Sequence, residues 1–203
     1  YLVHGVTGSG KTEVYIEMIH RVADSGRQAI VLIPEIALTF QTVMRFYRCF
    51  GDRVSIMNSR LSAGERYDQL MRAKSGEVMI GPRSALFTPF PNLGLIVIDE
   101  EHENTYKSEQ TPRYHARETA EARAKMEGAS VVLGSATPSM ESMYRARLGE
   151  YRLLELKKRS REQEMADVYV TDLREELKNG NRSILSEKLQ ELMEDRLNRH
   201  EQI

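Results

Sequence analysis

Six short apolar runs recur along the chain: "YLVHGV", "QAIVLIP", "RVSIMNS", "EVMIGP", "LGLIVID" and "ASVVLGS". Each has the length of a strand and is rich in Val, Ile and Leu. Runs that are apolar at nearly every position, rather than at alternate ones, suit strands covered on both faces, as a parallel sheet requires. Helical patterns such as "EVYIEMIHRVAD" fall between them. The alternation predicts βαβ units, and so an α/β fold with a mainly parallel sheet and helices on both faces. Local signals mark helix boundaries. In "SAGE", Ser62 and Glu65 have the spacing of a capping box, and Gly26, Gly76 and Gly128 stand where helices should stop. Phe40, Met44, Phe46, Tyr47 and Phe50 are expected to form the buried face of one helix.

After about Tyr151 the pattern changes to a charged stretch "LKKRSREQEM", a strand-like "ADVYVTD" and a helical "ILSEKLQELMEDRLNRH". We read residues 1–151 as one lobe and 152–203 as a connector and the beginning of a second. The chain starts at Tyr1 inside an apolar run and stops at "HEQI", which suggests a piece of a longer protein. Its 203 residues, 40% hydrophobic and 29% charged, suit one soluble domain with part of another. No run approaches the roughly 18 apolar residues of a membrane span, and the N-terminus lacks a signal peptide's build. The single Cys49 excludes an intrachain disulfide and any multi-cysteine metal site in these residues. These features predict a cytoplasmic protein with no membrane partner. A net charge of −1 argues for no acidic partner, yet a basic groove can form locally on a neutral protein.

The first apolar run leads into "GVTGSGKT": Gly5, Val6, Thr7, Gly8, Ser9, Gly10, Lys11 and Thr12. This is the G-x-x-x-x-G-K-[ST] phosphate loop, here between a strand pattern and a helix pattern, the context that confirms it. Its glycines let backbone N–H groups curl around phosphate oxygens, and the helix N-terminus adds positive potential. Lys11 would reach the β- and γ-phosphates of a nucleotide and Thr12 would ligate Mg²⁺. The fifth run ends in Asp99, Glu100 and Glu101, followed by His102. Ligands of parallel sheets bind beyond the carboxyl ends of the strands, so Asp99 should reach the same place and hold the metal. Glu100 would then accept a proton from the attacking water. For Glu101 and His102, spacing leaves two readings open, a working role or a solvated turn. His4, His20 and His200 have no partners at metal-ligand spacing, and Cys49 reads as a small buried hydrophobe.

Together the phosphate loop, "DEEH" and "GSATPS" resemble motifs I, II and III of superfamily 2 helicases. "LIPEIALT", "GPRSALFTPF", "VIDEEHENTYK" and "PRYHARETAEARA" narrow the resemblance to the replication-restart, primosomal DNA helicases. Asn58 and Pro82 depart from that family's commoner His and Thr, both away from the nucleotide site. The resemblance implies the first RecA-like lobe of an ATP-dependent 3′-to-5′ DNA helicase using ATP and Mg²⁺. Its expected partners are DNA, at forks or as single strands, and other primosome and restart proteins. Zinc and an arginine finger would lie beyond these residues, so the fragment alone should bind nucleotide without turning it over. Carried over by position, Lys11, Asp99, Glu100 and His102 would be catalytic, and Ser135 and Thr137 would sense the nucleotide. Thr39, Ser59, Arg60 and Arg83 are candidate DNA contacts, each also readable as an ordinary capping or surface residue. In the long loop after the acids, Tyr106, Lys107, Arg113 and Tyr114 would touch DNA and couple it to hydrolysis, or simply pack. Two rivals stand beside this reading: a translocase that does not unwind, and a nucleotide-dependent assembly switch. A phosphate-loop kinase would leave "GSATPS" unexplained.

Overall fold

The structure, a computed structural model, describes residues 1–159 and 167–202. From the N-terminus, β1 (Leu2–Gly5) leads into α1 (Lys11–Asp24), and β2 (Gln28–Leu32) into α2 (Phe40–Phe50). Next come β3 (Val54–Ile56), α3 (Ala63–Ser75), β4 (Val78–Gly81), β5 (Leu93–Asp99) and α4 (Ala116–Glu127). β6 (Ser130–Ser135), α5 (Met140–Arg147) and β7 (Leu153–Leu156) follow. The sheet runs β3-β4-β2-β5-β6-β1-β7, and every neighbouring pair is parallel. All six expected strands are present, and β5, which carries the acids, lies in the middle.

Because side chains alternate along a strand, each strand feeds two cores. Ile30, Leu32, Ile96 and Ile98 face a cluster containing Ala73 of α3 and Ala116, Ala120 and Ala124 of α4. Ala29, Val31, Leu95 and Val97 face Tyr15 and Ile19 of α1 and Phe46 and Phe50 of α2. Burial on both faces explains why the runs are apolar at nearly every position. Helix ends follow their local signals. The Ser62 and Glu65 capping box is formed, Gly26 has φ 74° just past α1, and Gly76 and Gly128 stand directly after α3 and α4.

Three expectations are corrected. Of the predicted apolar face of α2, only Phe46 and Phe50 are buried, whereas Phe40 is 78% and Tyr47 42% exposed. Phe46 follows Phe40 by about 240° around a 3.6-residue helix, so the two cannot share a face. Secondly, β7 lies beyond the expected limit at Tyr151, yet it pairs with β1 from Leu2↔Leu153 to Gly5↔Leu156. The first compact unit therefore runs Tyr1–Glu162 and the second Gln163–Ile203. Part of the expected connector lies outside the described residues. Thirdly, the strand-like "ADVYVTD" forms no strand over 167–172, where Val168 and Val170 are 85% and 95% exposed. Its first residue, Ala166, is outside the described residues. The second unit holds α6 (Leu173–Lys178), capped by Asp172, and α7 (Glu187–Asn198), capped by Ser186.

One close approach ties α1 to the sheet. A Cβ placed on Gly134 would lie 1.6 Å from Tyr15 Oη and 2.7 Å from its ring. Gly134→Ala should therefore destabilise the chain by about 1–3 kcal/mol through overpacking, and by less in a Tyr15→Phe background, where the oxygen is gone. Urea denaturation of the two single variants and the double tests this. An equal cost in both backgrounds would place the clash elsewhere.

Candidate active site

At the end of β1 the chain turns through Gly8 and Gly10, with φ of 78° and 89°. Residues with a side chain avoid this left-handed region. The turn lets α1 begin at Lys11, directing its open N–H groups at the loop. Lys11 is 9% exposed, and its Nζ donates to Gly5 O at 2.9 Å. Ser9 Oγ is buried without a hydrogen-bond partner. A buried ammonium, the N–H groups that open α1 and a buried hydroxyl without a hydrogen-bond partner together fit a polyphosphate, whose oxygens can accept from all three.

Asp99 ends β5 and is in register with Gly134 of β6. Two buried tyrosines hold it. Tyr15 Oη donates to Asp99 Oδ1 at 3.0 Å, and Tyr106 Oη bonds to Asp99 O at 2.6 Å and Leu32 O at 3.0 Å. Burial first, and then the charge of Glu100, push the Asp99 carboxyl above its ordinary value, while Tyr15 and Lys11 pull it back. The same burial, reinforced by Asp99 and Glu100, pushes both phenols far up, so both stay protonated donors. Asp99 and the Thr12 hydroxyl, which line one cleft of about 730 Å³ with Glu100 and Thr39, would hold Mg²⁺. Oxygen donors of this kind suit that ion.

Glu100 has φ 46°, a strained value for a residue with a side chain. Its carboxylate is one-third exposed and lies 3.7 Å from His102 Nδ1. That nitrogen shares a 2.8 Å hydrogen bond with Ser135 Oγ, which also accepts from Thr137 N at 2.9 Å. The acids and the "GSATPS" segment are thus joined side chain to side chain. Glu101 is no solvated turn residue, since its side chain is fully buried. Its N–H donates to Gly134 O at 3.0 Å. Its carboxylate meets Arg117 of α4 and Ser139 and Ser142 at the start of α5. Tyr15, Arg117, Ser139 and Ser142 were not among the candidate site residues, although Ser139 closes "GSATPS" and Arg117 lies in "PRYHARETAEARA"; only the position of Tyr15 one helical turn past Lys11 placed it on the site's side of α1.

The candidate DNA contacts fall into separate groups. Thr39 is exposed and caps α2, accepting from Thr42 N. Ser59 and Arg83 line a cleft of about 560 Å³ with Pro34, Glu35 and Tyr106. Arg60 is exposed nearby. Arg83 also has an architectural task, its Nη1 donating to Thr105 O at 2.9 Å and Lys107 O at 2.8 Å. Lys107, Arg113 and Tyr114 line a further cleft of about 650 Å³ with His115, and the Tyr114 ring meets Phe87 edge-on at 5.1 Å. Tyr106 is a correction: it is 1% exposed, so it has no free face on which a base could stack.

Residues 1–146 match the family described as DEAD/DEAH box helicase. The whole chain is similar to the Replication restart protein PriA of Bacillus subtilis, with 52% identity and 25% of that protein covered. The PriA of Synechocystis sp. is 47% identical over 93% of the chain and 24% of its own length. This chain spans about a quarter of the length of such relatives. Among solved structures, the Pyrococcus furiosus Hef helicase domain superposes on 78% of the chain and 35% of its own, with TM-score 0.58 and 19% identity, a likeness of fold.

The raised Asp99 carboxyl has a consequence for stability. It binds its proton more tightly in the folded chain than in the unfolded one, which favours the fold at low pH and penalises it once the pH exceeds that raised value. Without metal, Asp99→Asn should raise the thermal midpoint at pH 7, and its advantage should shrink as pH falls toward the ordinary aspartate value of 3.8. A lowered midpoint at pH 7 would mean that Tyr15 and Lys11 outweigh burial.

Proposed function

Since the chain belongs to the DEAD/DEAH box helicase family, we propose that it is the ATP-binding lobe of a 3′-to-5′ DNA helicase acting in replication restart. One observation carries the reading. The phosphate loop and the acids meet beyond the carboxyl ends of β1 and β5, where Tyr15, one turn past Lys11, is hydrogen-bonded to Asp99. Similarity to full-length PriA proteins supports the restart role.

In this reading Lys11 leaves Gly5 O to hold the β- and γ-phosphates, with the N–H groups of Gly5 to Thr12 around them. Thr12 and Asp99 hold Mg²⁺, which supplies positive charge to the phosphate oxygens. Glu100 takes the proton of the attacking water. His102 and Ser135 relay the state of the site to Thr137. Thr39, Ser59, Arg60, Arg83, Lys107, Arg113 and Tyr114 contact the DNA backbone and unpaired bases. Gln163–Ile203 begins a second motor lobe that brings the arginine finger. Zinc, if the longer protein carries it, is held outside these residues, whose only cysteine is Cys49. Primosome and restart proteins are the expected partners, in the cytoplasm.

Two measurements test this. The 203-residue chain should bind ADP, and Lys11→Ala should abolish binding. It should show almost no turnover, since loss of an arginine finger costs about 10³ to 10⁵ in rate. Robust DNA-stimulated hydrolysis by this chain alone would overturn the two-lobe part. In a chain of the relatives' full length, Glu100→Gln should keep ATP bound and lose roughly 10² to 10⁴ in kcat. Equal loss of binding in both variants would make Glu100 structural.

A further inference from the structure

Among the described residues, Glu100 and His200 are the non-glycine residues with positive φ. A residue so placed relaxes unless its surroundings hold it, and the ion-pair partner of the Glu100 carboxylate among the described residues is His102, at 3.7 Å. The restraint must come through the backbone on either side. Before it, Asp99 is held by Tyr15 and Tyr106. After it stands Glu101, whose carboxylate is more completely bonded than any other in this region.

Glu101 Oε1 accepts from Ser139 N at 2.6 Å. Its Oε2 accepts from Ser142 Oγ at 2.8 Å, Ser139 Oγ at 3.1 Å and Arg117 Nη1 at 3.4 Å. Arg117 Nη1 in turn donates to Ser142 Oγ at 2.8 Å and Ser139 Oγ at 3.0 Å. Each serine hydroxyl therefore accepts from the cation and donates to the anion, which fixes its orientation. The side chains of Glu101 and Arg117 are 0% and 9% exposed, so water cannot replace a lost bond. Ser139 is also the N-cap of α5, a place where a carboxylate is favoured by the helix dipole. None of these hydrogen bonds ends on Gly5–Thr12.

We propose that Glu101 and Arg117 are positioning residues for hydrolysis, anchoring the far side of the strained turn so that Glu100 keeps the geometry in which it acts. The inference rests on the helicase reading. A misplacement of about 1 Å can cost on the order of a hundredfold in rate without weakening substrate binding, and that separation is the signature sought.

The test uses a chain of the relatives' full length, measuring kcat and KM for ATP with single-stranded DNA, ADP affinity and the thermal midpoint. Glu101→Gln and Arg117→Lys should lower kcat at least about tenfold, with KM and ADP affinity within about twofold. In a Glu100→Gln background, Glu101→Gln should add no further loss, because it acts through the group already removed. Independent multiplication of the two losses, an unchanged kcat, or a kcat per folded molecule equal to the parent's would overturn the proposal. If Glu101→Gln does not fold, Arg117→Lys and Ser142→Ala enter the same cycle. An unmodified protein that hydrolyses no ATP would overturn the helicase reading instead.

Discussion

Negative charge at the end of a buried strand is the constraint on which the rest of this fold depends. Three consecutive carboxylates close β5 at the centre of the sheet. Two such groups about 4 Å apart repel by roughly 4 kcal/mol at the effective dielectric near a protein surface. Each acid is compensated differently. Asp99 receives a phenol and the nearby charge of Lys11, Glu100 is turned outward by a positive φ, and Glu101 is sunk into an arginine and two serines. Separating the three in this way leaves Asp99 lining the cleft shared with Thr12, Glu100 one-third exposed and Glu101 in the scaffold. Removing one partner of a buried pair such as Glu101 and Arg117 leaves an unpaired charge, which typically costs about 3–5 kcal/mol.

What was legible in the sequence was whatever depends on local pattern. The six strands could be read because double-sided burial makes every position apolar, and the phosphate loop because its glycines, Lys11 and Thr12 are adjacent. The capping box at Ser62 needs only residues three apart. β7 escaped notice because "LLEL" is a short edge strand, half in contact with the core, so neither a continuous apolar run nor clean alternation marks it. The partners of Glu101 lie 16, 38 and 41 residues away. No spacing rule links such positions, and a turn of acids reads as solvated until the helices that cover it are known.

Tyr15 shows a different limit. A tyrosine at an inward position of an amphipathic helix is read as core, and Tyr15 is core, only 1% exposed. Its chemistry lies in the one polar atom at the tip of that buried ring, and what that atom meets depends on the helix lying close enough to the sheet. The missing side chain at Gly134 allows this approach. Gly134, inside the strand run "ASVVLGS", is therefore a packing requirement of the residue that holds Asp99.

The buried Tyr106 changes how the long loop after the acids acts on the site. Its hydroxyl touches Leu32 O at the end of β2 and Asp99 O at the end of β5, so the two strand ends cannot shift apart without breaking a bond in a place that water does not reach. The loop itself is held from outside by Arg83, which bonds Thr105 O and Lys107 O on either side of Tyr106. Lys107 pairs antiparallel with His115 at the loop's other end, and His115 caps α4, the helix that carries Arg117. Two chains of contacts therefore run from Arg83 and the exposed part of the loop to the acids. One passes through Tyr106 to Asp99, and the other through the first turn of α4 to Glu101. Glu100 stands between their end points, and so the geometry of the one acid left free is set by residues that never touch it.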